Sequence, residues 1–236
     1  MMLQKKSVIM MLLTAALAIT PCCQAVENTP RSTYKNHVIQ GFTVLIHPEV
    51  LAHDDAAGQL MDELTAQLAR INAVVPARQL VSLKKVRIWV EWQAKENGAA
   101  EFHPSAQWLR QNGYNPEKES GIEINNARNF VKWSRAEQPW MLMHEMAHAF
   151  HKTVLGYGHA PIESAYQHAV DARLYESVPY INGGNKRAYA MNNSTEYFAE
   201  LTEAYLGKND FFPYVRQELA QHDPAGYRLM QSVWEK

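Results

Sequence analysis

The chain of 236 residues is 47% hydrophobic and 20% charged, with 23 basic against 24 acidic side chains. That is enough apolar material for one good core, and so even a charge balance argues against nucleic acid as a partner.

At the N-terminus, Lys5 and Lys6 precede an uncharged apolar run, residues 7–19, which Pro21 follows. Cys23-Gln24-Ala25 then offers small residues at a cleavage point. Residues 1–25 read as a secretory signal peptide cut after Ala25, with an apolar run too short for a comfortable membrane span. The expected location is secreted or periplasmic, with no stable membrane insertion after cleavage. An uncleaved anchor is the alternative. A lipoprotein signal at Cys22 fits poorly, because Pro21 stands directly before it. Cleavage removes Cys22 and Cys23, the chain's two cysteines. A disulfide framework, cysteine-ligated zinc and a cysteine nucleophile are then excluded. Lys5 and Lys6 go with the segment and no acid does, leaving 21 basic against 24 acidic side chains. Residues 26–236 are expected to form a single domain.

In chain order, residues 26–36 are a polar lead-in. Val38 to Ile46 is strand-like, with Gly41 weakening one position. Asp54 or Asp55 caps a helix running to Val74, with Leu60, Leu64, Leu68 and Ile71 in helical phase. A helical turn spans 77–83, and Val86 to Trp92 alternates as a strand; Trp89 and Trp92 read as its structural aromatics. Residues 93–120, broken by Gly98, Pro104, Gly113 and Pro116, are loop with one short helix near 105–111. Gly121 to Asn125 is a further strand. Helices follow over about 138–155, ended by Gly156; 162–175; and 194–206, capped by Ser194 or Thr195 and ended by Gly207. Residues 179–186 are loop, and two helical segments in the tail part at Asp223-Pro224. Strands come early and helices late. The class is α+β, a small mixed sheet followed by a mainly helical region.

The chemistry concentrates in Trp140 to His151, which contains His144-Glu145-Met146-Ala147-His148. On a helix at about 100° per residue, Leu142, Met143, Met146, Ala149 and Phe150 form an apolar face. His144, Glu145, His148 and His151 form the opposite one. Two imidazoles one turn apart suit a single Zn²⁺, and Glu145 stands where a general base must. The third ligand is not His151, because about 10 Å of helix rise separates it from His144; it is expected to line the cleft or support the site. Glu196, Glu200 and Glu203 share one face of a second helix, with Phe198, Leu201 and Tyr205 behind. Laid beside the first helix, this face brings carboxylates to the imidazoles: one to complete the metal sphere, another to accept a ligand's free ring N–H. Spacing alone does not choose between Glu196 and Glu200. His103 and His159 are further candidates for the cleft wall.

His144-Glu145-x-x-His148, followed by Glu196-Tyr197-Phe198-Ala199-Glu200 with Tyr189 seven residues before Glu196, resembles the zinc metallopeptidase domain of the anthrax lethal factor type, a gluzincin. The match covers residues 140–206. The resemblance implies a zincin-like catalytic region with one Zn²⁺ held by His144, His148 and Glu196. Glu145 would be the general base, Tyr189 the donor to the oxyanion or leaving group, and Glu200 the carboxylate behind the ligands. It further implies hydrolysis of a peptide or protein substrate by a zinc-activated water, and it suggests that the strand 121–125 edges the cleft. The alternatives are a zinc amidase acting on cell-wall peptides and a non-catalytic zinc-binding interaction module. Glu145 argues against the last, since a structural site needs ligands and no base.

Overall fold

The computed structural model describes residues 28–235; the segment read as a signal peptide, with Cys22, Cys23 and Ala25, lies outside them. The fold is α+β. Strands β1 (Lys35–Ile39) and β2 (Phe42–Ile46) form a hairpin. The expected single strand over 38–46 is thus two strands, because Gln40 and Gly41 both take positive φ, 52° and 85°. That is the two-residue turn whose twist matches paired antiparallel strands. Helices α1 (Pro48–Leu51), α2 (Asp54–Val74) and α3 (Ala77–Leu83) lead to β3 (Ile88–Val90). Asp54 and Asp55 sit in the first turn of α2 and His53 takes the cap position, where the two acids still favour the positive helix end.

Next come β4 (Glu101–Phe102), α4 (Ala106–Gln111), capped by Ser105, and β5 (Ile122–Ile124). The sheet order is β1-β2-β3-β5-β4, with β2, β3 and β5 parallel and the outer pairs antiparallel. Alternation splits the side chains between two faces. Val44, Ile46, Ile88, Val90, Ile122 and Ile124 enter the main core. Leu45 and Trp89 turn the other way, where Tyr34 packs edge-on against Trp89 at 4.9 Å.

Helix α5 (Ala127–Ala136), capped by Asn126, was not anticipated from the sequence; it packs on α2. Helix α6 (Met141–Phe150) runs on into a π-helical turn, His151–Leu155, that Gly156 ends at φ 82°. Gln67 of α2 accepts the Leu142 backbone N–H at 3.1 Å, satisfying one of the orphan donors at the start of α6. Helix α7 (Ala160–Asp171) and a short hairpin, β6 (Val178–Pro179) and β7 (Asn185–Lys186), lead to α8 (Ser194–Leu206), α9 (Arg216–His222) and α10 (Pro224–Trp234). Asn193, one residue earlier than expected, caps α8: its Oδ1 accepts the backbone N–H groups of Thr195 and Glu196, both at 2.9 Å.

Helices α6 and α8 lie side by side. Their apolar backs, Leu142, Met143, Met146, Phe198 and Leu201, are buried in the same core. Gly207 fixes their relation at one end. A Cβ there would stand 2.0 Å from the Trp140 ring, so only glycine lets the end of α8 touch the start of α6. Among the described residues, no helix is long and apolar enough to cross a membrane.

Candidate metal centre and adjoining cleft

The α6–α8 pairing turns both polar faces toward one point. Nε2 of His144 and Nε2 of His148 each lie 3.1 Å from Oε2 of Glu196. On the far side of the first imidazole, Nδ1 of His144 lies 2.8 Å from Oε1 of Glu203. Glu203 can only accept, so Nδ1 carries the proton. Neutral His144 then presents a lone pair, not a proton, toward Glu196 at Nε2. Two lone-pair atoms do not rest 3.1 Å apart without positive charge between them. Either a proton or a metal cation meets that demand. In the protein alone a proton does so: burial pulls the His144 pKa down, but the hydrogen bonds to Glu196 and Glu203 outweigh it and hold it well above the usual histidine value. Burial likewise pushes the Glu196 carboxyl up, and His144 and His148 bring it down to about 2.

A metal fits this donor set. Two imidazole nitrogens and one carboxylate oxygen all lie within 4.8 Å of one another. Bonds of about 2.0–2.1 Å to a tetrahedral ion put neighbouring ligand atoms roughly 3.3 Å apart, close to the two 3.1 Å separations present. Three protein ligands leave a fourth position free.

Glu145 is 8% exposed. Burial raises its carboxyl pKa, opposed by the charges of His144 and His148, and the Phe102 backbone N–H of β4 hydrogen-bonds to it. Tyr189 lies in a 3-10 turn, Tyr189–Met191, directly before α8. Its ring stands 6.2 Å from that of His144, and burial together with the Glu196 charge raises its pKa. Tyr157, after the π-helical turn, also has its pKa raised by burial and by Glu196; the sequence carried no mark of this.

Two expectations need correction. The carboxylate behind His144 is Glu203; Glu200 approaches Nδ1 only to 3.8 Å and accepts instead from Asn209. Both glutamates lie on the stripe read from the sequence, but two helical turns carry the carboxylate from Glu196 to the rear nitrogen, and one turn does not. His151 neither lines the cleft nor supports a ligand. It is 0% exposed with neither ring nitrogen hydrogen-bonded among the described residues, between Tyr157 at 5.3 Å and Phe198 at 5.4 Å. It shares the stripe of His144, but lies far enough along it for α8 to cover it. The sheet ends at β4, with β5 between β3 and β4, and Asn125, the last residue of the expected edge strand, lines the cleft. A two-residue strand inside a Gly- and Pro-broken loop shows no alternation to read.

His103 and His159 are not at the centre. His103 is buried against Glu123 at 2.6 Å, and His159 lines a separate depression with Phe150 and Val233. Beside the centre a cleft of about 410 Å³ is lined by His144, Glu145, Tyr189, Glu200, Glu203 and Asp210, with Trp133, Tyr180 and Phe211 among its aromatic groups. A larger groove of about 760 Å³, between the start of α2 and α5, contains none of the candidate residues.

The chain matches no protein-family model, no curated protein and no solved structure.

Proposed function

We propose that the protein is a zinc-dependent metallopeptidase, secreted or periplasmic, which hydrolyses peptide bonds in a peptide or protein substrate. The observation that carries this reading is the convergence of His144, His148 and Glu196 on one point, with the buried Glu145 beside it. The resemblance of the same residues to the gluzincin pattern of the anthrax lethal factor type points the same way. His144, His148 and Glu196 would hold one Zn²⁺. Bound there, zinc supplies Lewis acidity, acidifying water and polarising a carbonyl.

The remaining steps belong to side chains of the chain. Glu145, with its pKa raised by burial, takes a proton from the attacking water and returns it to the leaving amine. Tyr189 is 47% exposed and its phenol, with a pKa raised further above its ordinary value, stays protonated and would donate a hydrogen bond to the developing oxyanion. Among the described residues the outer edge of β4 has no strand partner; its backbone groups beyond the Phe102 N–H, which Glu145 takes, are on offer to an extended peptide. Glu203 holds the His144 tautomer.

The test pairs metal content with cleavage of a denatured protein mixture, with and without a chelator, for the wild type and Glu145→Gln. Expected are one zinc per chain in both proteins, and cleavage by the wild type alone that the chelator abolishes. Full activity in Glu145→Gln removes the assigned base. A zinc-loaded wild type that cleaves no protein defeats the peptidase reading.

A further inference from the structure

We propose that the cleft beside Glu145 is a specificity pocket for a long cationic side chain, lysine or arginine, carried by the substrate residue next to the scissile bond, with Asp210 as its charge partner. This rests on the peptidase reading and names the substrate class of the same site. The cleft is continuous with the candidate centre, since His144 and Glu145 line it. Its volume of about 410 Å³ lies within the range of clefts that enclose small ligands.

The lining carries an excess of buried acid. Glu200, Glu203 and Asp210 are 3%, 5% and 5% exposed. Glu203 is matched by His144 at 2.8 Å. Glu200 has the neutral Asn209 amide at 3.1 Å, and Asp210 has the neutral Gln138 side chain and its own backbone N–H. No lysine or arginine pairs with any of the three among the described residues. Lys95, the cation lining the cleft, is already paired with Glu101 at 3.3 Å. Buried carboxylates without a counter-ion are costly, and a substrate cation supplies what the chain leaves out. Burial and the Glu203 charge push the Asp210 carboxyl up to about 7, the direction expected where positive charge is lacking.

Two further features fit a cationic side chain. Trp133 and Phe211 line the cleft, and aromatic groups accept both an aliphatic stem and a cation. The ring of Tyr180, which also lines it, already takes the ammonium of Lys186 at 3.7 Å. Asn125, 2% exposed, lines the same cleft, and its Oδ1 has no hydrogen-bond partner among the described residues. That oxygen abuts Gly98 of the cleft wall, where a Cβ would come within 2.3 Å of it.

The test is calorimetric titration of the zinc-loaded Glu145→Gln protein with blocked peptides identical except for lysine, arginine or norleucine at one position. Lysine or arginine should bind about tenfold tighter than norleucine, and Asp210→Asn should reduce the ratio to within about twofold without weakening the norleucine peptide. Equal binding of the three peptides by the parent protein, or tighter binding of norleucine, overturns the proposal. That comparison needs no Asp210 variant, so a folding defect in Asp210→Asn does not obscure it. Cleavage of the same peptides by the wild type is scored separately. If none is cut while the cation preference holds, the peptidase reading fails and the pocket assignment stands.

Discussion

Glu203 Oε1 lies 2.8 Å from Nδ1 of His144, a full ångström closer than Glu200 comes to the same nitrogen. The hydrogen bond fixes which imidazole nitrogen faces Glu196 and His148, so a residue two helical turns from Glu196 orients the centre without reaching it.

Removing that acceptor should therefore cost metal affinity. Glu203→Ala is expected to weaken zinc binding by about 10–100-fold, read by competition with a chromogenic chelator. Glu200→Ala should weaken it less, since its nearest approach to the ring is 3.8 Å. The reverse order would return the supporting role to Glu200.

The proton on His144 and a metal compete for one position. Below the raised pKa of His144, binding must displace that proton, so apparent zinc affinity should climb with pH. The slope is up to about tenfold per pH unit for each proton released. Titrations at several pH values in two buffers of different ionisation enthalpy measure the slope and the proton count together. A flat profile would show that no proton leaves.

Tyr189→Phe should leave zinc content unchanged and lower kcat by about 10²–10³-fold, the usual loss for one oxyanion donor. Tyr157 also feels Glu196, but its ring packs against His151. If Tyr157→Phe suffers the larger loss of kcat, the donor is Tyr157.

The site's skeleton was legible because both of its helices are amphipathic with chemistry on the polar stripe. His144, Glu145, His148, Glu196 and Glu203 could each be placed on a face from spacing alone. Depth along the axis is not legible in spacing: the resemblance points to Glu200 where the fold brings Glu203 to His144, and the polar stripe does not show that α8 covers His151. Both differences depend on how α6 and α8 sit against each other, a tertiary fact. The turn at Gln40-Gly41 was hidden because an uninterrupted apolar run looks the same as a strand and as the two arms of a tight hairpin. Helix α5 did have a signal, the Asn126 cap followed by Phe130, Val131 and Ser134 at helical spacing. Asp210 had none: it follows α8 in a loop, and only the fold brings it beside Glu200.

A second buried ionic group lies behind the sheet. Lys118 Nζ stands 2.6 Å from Glu91 Oε1 and also bonds Glu123, which in turn meets His103; Tyr34 donates to Glu91. Lys118→Met strands two buried carboxylates and should cost about 3–5 kcal/mol, read as a lower urea midpoint. Burial pushes the Glu123 carboxyl up, but bonds from His103 and Lys118 prevail and lower it. A depressed carboxylate stabilises the fold above its unfolded pKa, and that contribution is lost as pH falls through the folded value. Lys118 runs the other way: burial lowers its pKa, Glu123 and Glu91 raise it further, and its contribution persists until pH rises past the ordinary lysine value. The wild type should lose its advantage over Lys118→Met in acid.

His151 should set a separate acid limb. Burial and the charges of His148 and His159 hold its pKa at about 4, against 6.5 for a free imidazole. Between those values the unfolded chain binds a proton that the folded protein refuses, so stability falls as pH drops from about 6.5 to about 4. Since neither ring nitrogen has a partner among the described residues, His151→Phe gives up no hydrogen bond there and keeps an aromatic ring against Phe198 and Tyr157. The variant should gain on the wild type across that window, by about 3 kcal/mol at its acid end. Denaturant midpoints of both proteins between pH 7 and pH 4 read the difference directly. A constant offset across the range would mean that His151 takes up its proton in the folded state as readily as in the unfolded one.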